Sequence, residues 1–232
     1  MGRLTDFLPS EFTPEALNFR CTGCGACCSE FWINVTDTDV RRLVEHTGMG
    51  AMELVEFASP RVVESEPEED GWVPFGTDTT ERGLMTLKTD EETSVCQFLQ
   101  DDGLCGVYEA RPLACRLYPW DRDYPTAHTS RIGIEIFTDE CPYESDASND
   151  QEALEALFDQ DDEEREAYEA RIETWRRLGA PDDPIMFLRF LRLPLGSSTV
   201  NAKLAAAPAD PEPARTSPGS ALLPAAPLAP GG

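Results

Sequence analysis

The stretch Phe19–Cys28 reads FRCTGCGACC and holds half of the chain's eight cysteines. Cys21, Cys24, Cys27 and Cys28 therefore form a C-x-x-C-x-x-C-C pattern. Glycines occupy two intervening positions, which lets the backbone turn tightly enough for several sulfur atoms to converge on one centre. Thiolates at this spacing select zinc, iron or an iron–sulfur cluster. The stretch thus predicts a metal site around which the fold is organised.

The other four cysteines follow farther along the chain and extend the candidate ligand set. A hairpin turn signal at Asp101–Gly103 lies between Cys96 and Cys105, which predicts that these two cysteines stand close together on neighbouring strands. Cys141 precedes Pro142, as the last ligand does in bacterial ferredoxin motifs. We predict eight metal ligands: Cys21, Cys24, Cys27, Cys28, Cys96, Cys105, Cys115 and Cys141.

The number of centres follows from the adjacent pair Cys27 and Cys28. Neighbouring residues cannot easily aim both sulfur atoms at one tetrahedral ion, so one sulfur is expected to serve a second centre or to bridge two. Eight thiols suffice for two four-cysteine centres, or for one cluster plus a redox-active remainder. The pair favours an iron–sulfur cluster such as 4Fe-4S over zinc. Two Zn(Cys)4 knots are the main alternative, and a disulfide framework is a lesser one.

Charge and composition restrict the partners and the compartment. The chain carries 44 Asp and Glu against 19 Lys and Arg, a net charge of −25, which argues against nucleic acid and anionic membrane surfaces as partners. It suits a surface adapted to high salt or one that docks a basic redox partner. The N-terminus lacks the apolar core of a signal peptide, and no run approaches a membrane span. We expect a cytoplasmic protein, in which clustered cysteines stay reduced and bind metal.

Periodicity and turn signals predict an irregular α+β domain with short antiparallel strands and flanking helices. Strands are expected at Leu84–Lys88, Val95–Leu99, Leu104–Tyr108 and Arg131–Thr138. A capping box that starts at Thr36 predicts a helix that Gly48 ends. Further helical segments are expected at Met52–Phe57, Pro112–Leu117 and Asn149–Leu178, and the apolar Ile185–Leu191 should dock on the core.

One domain is expected over residues 1–195, with a motif core at 19–143 and a helical extension at 149–193. The first twenty residues bring apolar side chains that could pack over the site: Phe7, Leu8, Phe12, Leu17 and Phe19. Residues 196–232 are rich in Ala and Pro and lack aromatic side chains. They cannot bury enough apolar surface to offset the entropy of ordering, so a disordered tail is predicted there.

The motif Cys21–Cys28 and three later segments resemble the zinc- or iron-chelating CxxCxxCC family, the YkgJ-like cysteine-cluster proteins. The later segments are CQFL at 96–99, CGVY at 105–108 and RPLACRLYP at 111–119, so the resemblance runs from about residue 19 to 143. It implies an iron–sulfur or zinc protein of unassigned activity. One branch resembles the flagellin lysine N-methylase, but the absence of a Gly-rich nucleotide-binding loop weakens that interpretation.

Four basic residues complete the candidate set. Arg111 and Arg116 flank the segment that carries Cys115, where guanidinium groups would offset the charge of a thiolate cluster and raise its reduction potential. Alternatively, each arginine pairs with a nearby carboxylate. His46 lies near a predicted helix end, where a cation suits the dipole, and His128 is a weaker candidate ligand in a loop.

The expected function is electron transfer, or an unassigned oxidoreductase step, through an iron–sulfur cluster or two metal centres. A redox partner protein would accompany it. The alternatives are a zinc-binding structural or interaction module and a methylase-like metal-dependent modifying enzyme. Nothing in the sequence predicts catalytic residues, because no serine–histidine–carboxylate set is present and neither histidine stands beside a cysteine.

Overall fold

The computed structural model describes residues 10–60, 71–76, 82–90, 92–126, 129–136 and 141–196. Helices and two small three-stranded sheets make up this part of the chain, so the predicted α+β class is confirmed. The strands are β1 (Ser10–Phe12), β2 (Val55–Ala58), β3 (Trp72–Pro74), β4 (Arg82–Leu87), β5 (Trp120–Thr126) and β6 (Thr129–Ile134). The helices are α1 (Pro14–Asn18), α2 (Ala26–Glu30), α3 (Asp37–Thr47), α4 (Ala51–Leu54), α5 (Leu113–Leu117), α6 (Gln151–Arg177) and α7 (Pro184–Phe190), with a 3-10 turn at Tyr108–Ala110.

The two sheets differ in the relative directions of their strands. In the first sheet, ordered β1-β6-β5, strands β5 and β6 are antiparallel, and β1 lies parallel to β6 with Phe12 opposite Ile132. The second sheet is antiparallel and ordered β2-β4-β3, with Phe57 opposite Met85 and Trp72 opposite Leu84. Strand β4 is central in this sheet, and its residues from Gly83 to Leu87 are all buried. Each sheet therefore supplies one wall of a core.

Helix α3 has the boundaries that its sequence signals predict. The Thr36 side chain accepts a hydrogen bond from the backbone N–H of Asp39, and the Asp39 carboxylate accepts one from Thr36 N–H, which completes the capping box. At the other end Gly48 adopts φ = 72°, and its N–H bonds to the Val44 carbonyl. His46 lies in the last turn, where a cation is favourable.

Two apolar clusters form the interior, and helix α6 enters both. Its N-terminal half buries Leu154 and Leu157 in the first cluster, which also contains Phe19, Leu113, Leu117, Trp120 and Ile132. Its C-terminal half buries Ile172 and Trp175 in the second cluster, which also contains Val40, Leu43, Leu54, Met85, Cys96 and Phe187. The expected docking of Ile185–Leu191 is confirmed, because Phe187 of α7 is fully buried there.

Several sequence predictions are corrected by tertiary pairing. The helix expected at Met52–Phe57 ends at Leu54, because the β-branched and aromatic residues that follow pair with β4 instead. The strands expected around Cys96 and Cys105 are reduced to isolated bridges between Thr89 and Cys96 and between Leu99 and Cys105. Tight turns at 97–98 and 101–103 leave no room there for a longer ladder.

Some expectations fall outside the described residues. They are Phe7, Leu8, His128, residues 137–138 of the strand expected at Arg131–Thr138, and residues 197–232 of the predicted tail. That strand also differs in its bounds, because β6 begins at Thr129 and ends at Ile134. Strands β1, β3 and β5 were not anticipated from the sequence. In the described part of the chain, no helix has both the length and the apolar character needed to cross a membrane.

Candidate metal centre

The first cysteine block, Cys21–Cys28, is a loop with two glycines that leads into helix α2. Gly23 and Gly25 both adopt left-handed conformations, with φ of 69° and 76°, and Gly25 caps the helix that carries Cys27 and Cys28. A Cβ atom at Gly25 would lie 3.1 Å from Leu99 Cδ1 and 3.3 Å from the Gly103 carbonyl oxygen. Glycine therefore gives this position both its conformation and its close approach to the second cysteine block, which covers residues 96–119 and carries Cys96, Cys105 and Cys115.

The second block packs directly onto the first. Cys96 N–H donates to the Cys28 carbonyl at 2.8 Å, so the backbones join at the site itself. A turn between Cys96 and Cys105 is closed by Gln100 N–H, which donates to the Leu104 carbonyl at 2.9 Å. The predicted proximity of Cys96 and Cys105 is confirmed, although short bridges rather than strands produce it.

Cys141 is held beside Cys21 by a backbone bridge. Arg20 N–H donates to the Glu144 carbonyl at 2.8 Å, and Glu144 N–H returns a bond to the Arg20 carbonyl at 3.1 Å. The Arg20 side chain adds ion pairs with Glu144 and Asp146. The sequence did not indicate this structural role of Arg20, because the partners of its side chain lie more than a hundred residues away along the chain.

Four of the thiols lie close enough to influence one another, and we call them the inner thiols: Cys28, Cys96, Cys105 and Cys115. Burial raises the pKa of Cys115 well above its ordinary value, and repulsion from neighbouring thiolates, including Cys96 and Cys105, raises it further. Burial is also the main cause of the raised pKa of Cys96, to which Cys105 adds. Three of these residues, Cys28, Cys96 and Cys105, pack within or against the second cluster.

Three further thiols form a second group, and we call them the outer thiols: Cys21, Cys24 and Cys141. Cys21 packs against the first apolar cluster, and Cys24 is exposed. Burial raises the pKa of Cys141 to about 11, with further contributions from Cys24 and Cys21. Cys141 and Cys24 share a hydrogen bond, so this group meets at its exposed end.

Cys27 stands between the two groups. It accepts a hydrogen bond from the Cys28 thiol, which lowers the pKa of Cys27 to about 7 and raises that of Cys28. Its charge acts on the inner Cys115 and also on the outer Cys21 and Cys141. The adjacent pair is therefore the point at which the two groups meet.

Arg111 and Arg116 occupy different surroundings. The Arg111 guanidinium lies 3.7 Å from the centroid of the Tyr108 ring, and its charge favours the thiolate forms of Cys21, Cys27 and Cys115. Burial lowers the pKa of Arg116, and repulsion from Arg42 and Arg111 lowers it further. The carboxylates that act on Arg116 are Glu164 and Asp39. Arg111 thus acts on the thiols directly, whereas these two carboxylates offset the charge of Arg116.

The donor set is chemically suited to a soft metal. All eight cysteines are free thiols, which converge from the two blocks and from the segment at Cys141. Among the described residues, no three His, Cys, Asp or Glu side chains already stand at metal-ligand geometry. The thiols are neighbours, then, without forming a finished coordination sphere.

The family model named CxxCxxCC, described as "Putative zinc- or iron-chelating domain", matches residues 20–142. The chain belongs to this family. The matched range contains all eight cysteines and more than half of the chain, and together with the convergent thiols it supports metal binding. Searches of curated proteins and of solved structures found no match.

Proposed function

We propose that the protein holds an iron–sulfur cluster, or two metal centres, through its eight cysteines, and that it functions in electron transfer or an oxidoreductase step. One observation carries the proposal: eight free thiols gather as two groups that meet at the adjacent Cys27 and Cys28. A donor set made of thiolates selects zinc, copper(I) or iron–sulfur clusters.

The grouping supports a division into two four-cysteine centres. The inner centre would use Cys28, Cys96, Cys105 and Cys115, and the outer centre would use Cys21, Cys24, Cys27 and Cys141. Neighbouring residues on a helix point in directions about 100° apart, so the two sulfurs of the adjacent pair suit different centres. The two apolar clusters support the same division, because Cys21 packs on the first and Cys28, Cys96 and Cys105 pack on the second.

Electron transfer is favoured by the position of the groups relative to solvent. The outer group includes the exposed Cys24, whereas the inner group includes Cys96, which is buried in the second cluster. An iron–sulfur cluster bound by these residues would supply reversible one-electron chemistry. The cation Arg111 stands beside both groups, where it would offset negative charge and raise a reduction potential. A cytoplasmic location fits this proposal, because thiols stay reduced there.

Anaerobic purification of the full chain tests the choice of metal. The expected result is a brown protein that contains iron and acid-labile sulfide and that shows broad visible absorption which bleaches on reduction. A colourless protein with stoichiometric zinc would overturn the electron-transfer proposal. It would instead support the second candidate, a zinc-stabilised structural or interaction module, which the zinc alternative in the family description favours. The methylase-like alternative rests on sequence resemblance alone.

A further inference from the structure

The carboxylate of Asp39 on helix α3 is almost fully buried, with its side chain 3% exposed. One oxygen, Oδ2, accepts hydrogen bonds from the backbone and side chain of Thr36 at 2.9 and 3.0 Å. The other oxygen, Oδ1, accepts from the backbone N–H of Leu113 at 2.9 Å and from the Arg42 guanidinium. Asp39 thus caps its own helix and also reaches a segment 74 residues away.

The bond to Leu113 supplies a hydrogen-bond acceptor for the first turn of helix α5, which has no side-chain cap of its own. This five-residue helix starts after Pro112, which provides no side-chain cap, so its first N–H groups need acceptors from elsewhere. Leu113 is buried, and Asp39 is the acceptor that its N–H finds. Cys115 lies two residues farther along the same helix. The position of one inner thiol is therefore tied to a carboxylate on α3.

A second contact fixes Asp39 itself. Arg42 forms an ion pair with Asp39 and another with Glu164 of helix α6, at 2.7 Å. The three helices α3, α5 and α6 are joined through this one arginine and this one aspartate. Charges held in this way restrict the movement of α5 relative to the rest of the fold.

We infer that Asp39 is a positioning residue for the inner thiols: it holds the start of the helix that presents Cys115 to Cys28, Cys96 and Cys105. The inference rests on the proposed function, because it assumes that these thiols bind metal. Residues that orient metal ligands without touching the metal commonly change its affinity about 10- to 100-fold when they are replaced. Asp39 would therefore act on the metal site through the helix that carries Cys115, without touching the metal.

The chain offers a matched control at Asp37. This carboxylate is also buried on α3 and forms ion pairs with Arg41 at 3.4 Å and Arg171 at 3.2 Å. These two arginines lie on α3 and α6 and not on α5. Replacing either aspartate by asparagine removes one buried negative charge from the same helix. Only Asp39→Asn weakens an acceptor of α5, because a neutral amide then replaces the carboxylate that accepts from Leu113 N–H.

The test compares wild type, Asp39→Asn and Asp37→Asn, each purified anaerobically and shown to be folded by circular dichroism. The first measurement is the rate at which each protein loses metal to an excess of a chelator. We expect about a 10-fold faster loss from Asp39→Asn than from wild type, and a rate within about twofold of wild type for Asp37→Asn. Both variants can lower the melting temperature, so the melting temperature alone does not decide the question.

A second measurement separates the two proposals. After metal removal under reducing conditions, alkylation of each cysteine is followed by mass spectrometry, with Cys24 as the exposed internal reference. We expect Cys115 to be alkylated several-fold faster in Asp39→Asn than in Asp37→Asn, with Cys24 unchanged. If Asp39→Asn does not fold, Arg42→Met is used instead and should produce the same selective effect on Cys115.

The outcomes are distinct. Wild-type protein without bound metal would overturn the proposed function. Metal loss and Cys115 alkylation that are equal in Asp39→Asn and Asp37→Asn would overturn this inference alone, because a general loss of stability would then explain both variants.

Discussion

Single residues decide whether the sulfur atoms can meet, and Gly25 shows this most directly. Its positive φ places Cys27 and Cys28 at the start of α2, and its missing Cβ leaves room for Leu99 and Gly103. The sequence indicated a tight turn at this position. It could not show the close approach, since the contacting atoms belong to residues far along the chain.

Substitution of Gly25 by alanine is expected to lower both metal content and the free energy of unfolding. A left-handed conformation costs an alanine about 1–2 kcal/mol, and the contacts with Leu99 and Gly103 would add to this cost. Gly103→Ala is the control, because φ is 80° there but nothing lies within 4 Å of the position that its Cβ would take. Urea unfolding and metal analysis provide the measurement. Equal losses in the two variants would show that conformation alone matters at Gly25.

Replacement of Cys24 by serine should lower metal content and stability together, because metal binding is coupled to folding. With two separate centres, about half of the metal should remain, held by the inner thiols. Cys105→Ser is the matched variant from the inner group and should cost more stability, since Cys105 packs against the second apolar cluster. Elemental analysis and thermal melting measure both effects. Full metal with unchanged melting would remove Cys24 from the ligand set, and complete loss of metal would contradict the division into two centres.

The two arginines near the thiols are expected to act unequally. Arg111→Gln should lower the reduction potential of a bound cluster, since the positive charge that acts on Cys21, Cys27 and Cys115 is removed. Arg116→Gln should change the potential less, because Glu164 and Asp39 already offset the charge of Arg116. Redox titration followed by visible absorption measures both. A larger shift for Arg116→Gln would reverse the assignment.

Among the secondary-structure elements, those with local signals were predictable and those made by pairing were not. The capping box at Thr36 and the three- and four-residue apolar spacing of α6 lie within short windows of sequence, so both helices were anticipated. Strand β1 has three residues and pairs with β6 from the far end of the family region. No window of sequence contains that information. The hydrogen bond between Asp39 and Leu113 was unpredictable for the same reason, because the two residues lie 74 positions apart in the sequence.

Helix α7 brings a fully buried aromatic ring into the second apolar cluster. Phe187 is fully buried and contacts a ring of aromatic side chains: Phe57, Phe75, Tyr168, Trp175 and Phe190. Phe187→Ala should therefore cost about 3–5 kcal/mol of unfolding free energy. Ile185→Ala on the same helix is the control and should cost far less, because Ile185 is 37% exposed. Similar midpoints in urea for both variants would contradict this role of Phe187.

At the scale of the whole molecule, the cysteines contact both apolar clusters, and helix α6 also contributes side chains to both. At 27 residues, α6 is about 40 Å long, so it reaches from the cluster around Phe19 to the cluster around Phe187. The single domain and the eight-cysteine ligand set stay predictions, made from composition and spacing. The sequence could not predict that the interior is divided, since that division depends on which side chains of α6 face which sheet.

The domain boundary at the C-terminal end remains a prediction with a direct test. Residues 197–232 contain no aromatic side chain and no cysteine, so their removal should leave metal content and melting temperature unchanged. A longer deletion from Pro184 onward is the control and should unfold the protein, because it removes Phe187. A lower melting temperature after the short deletion would extend the folded domain into the tail.

The exposure of Cys24 has a practical consequence for anyone who handles the protein. A reagent in solution, such as dissolved oxygen, reaches this sulfur more easily than the buried sulfur of Cys96. Damage in air should accordingly begin at the surface-facing sulfurs and leave the deeper ones for later. A partly bleached preparation would then be a mixture of half-loaded molecules.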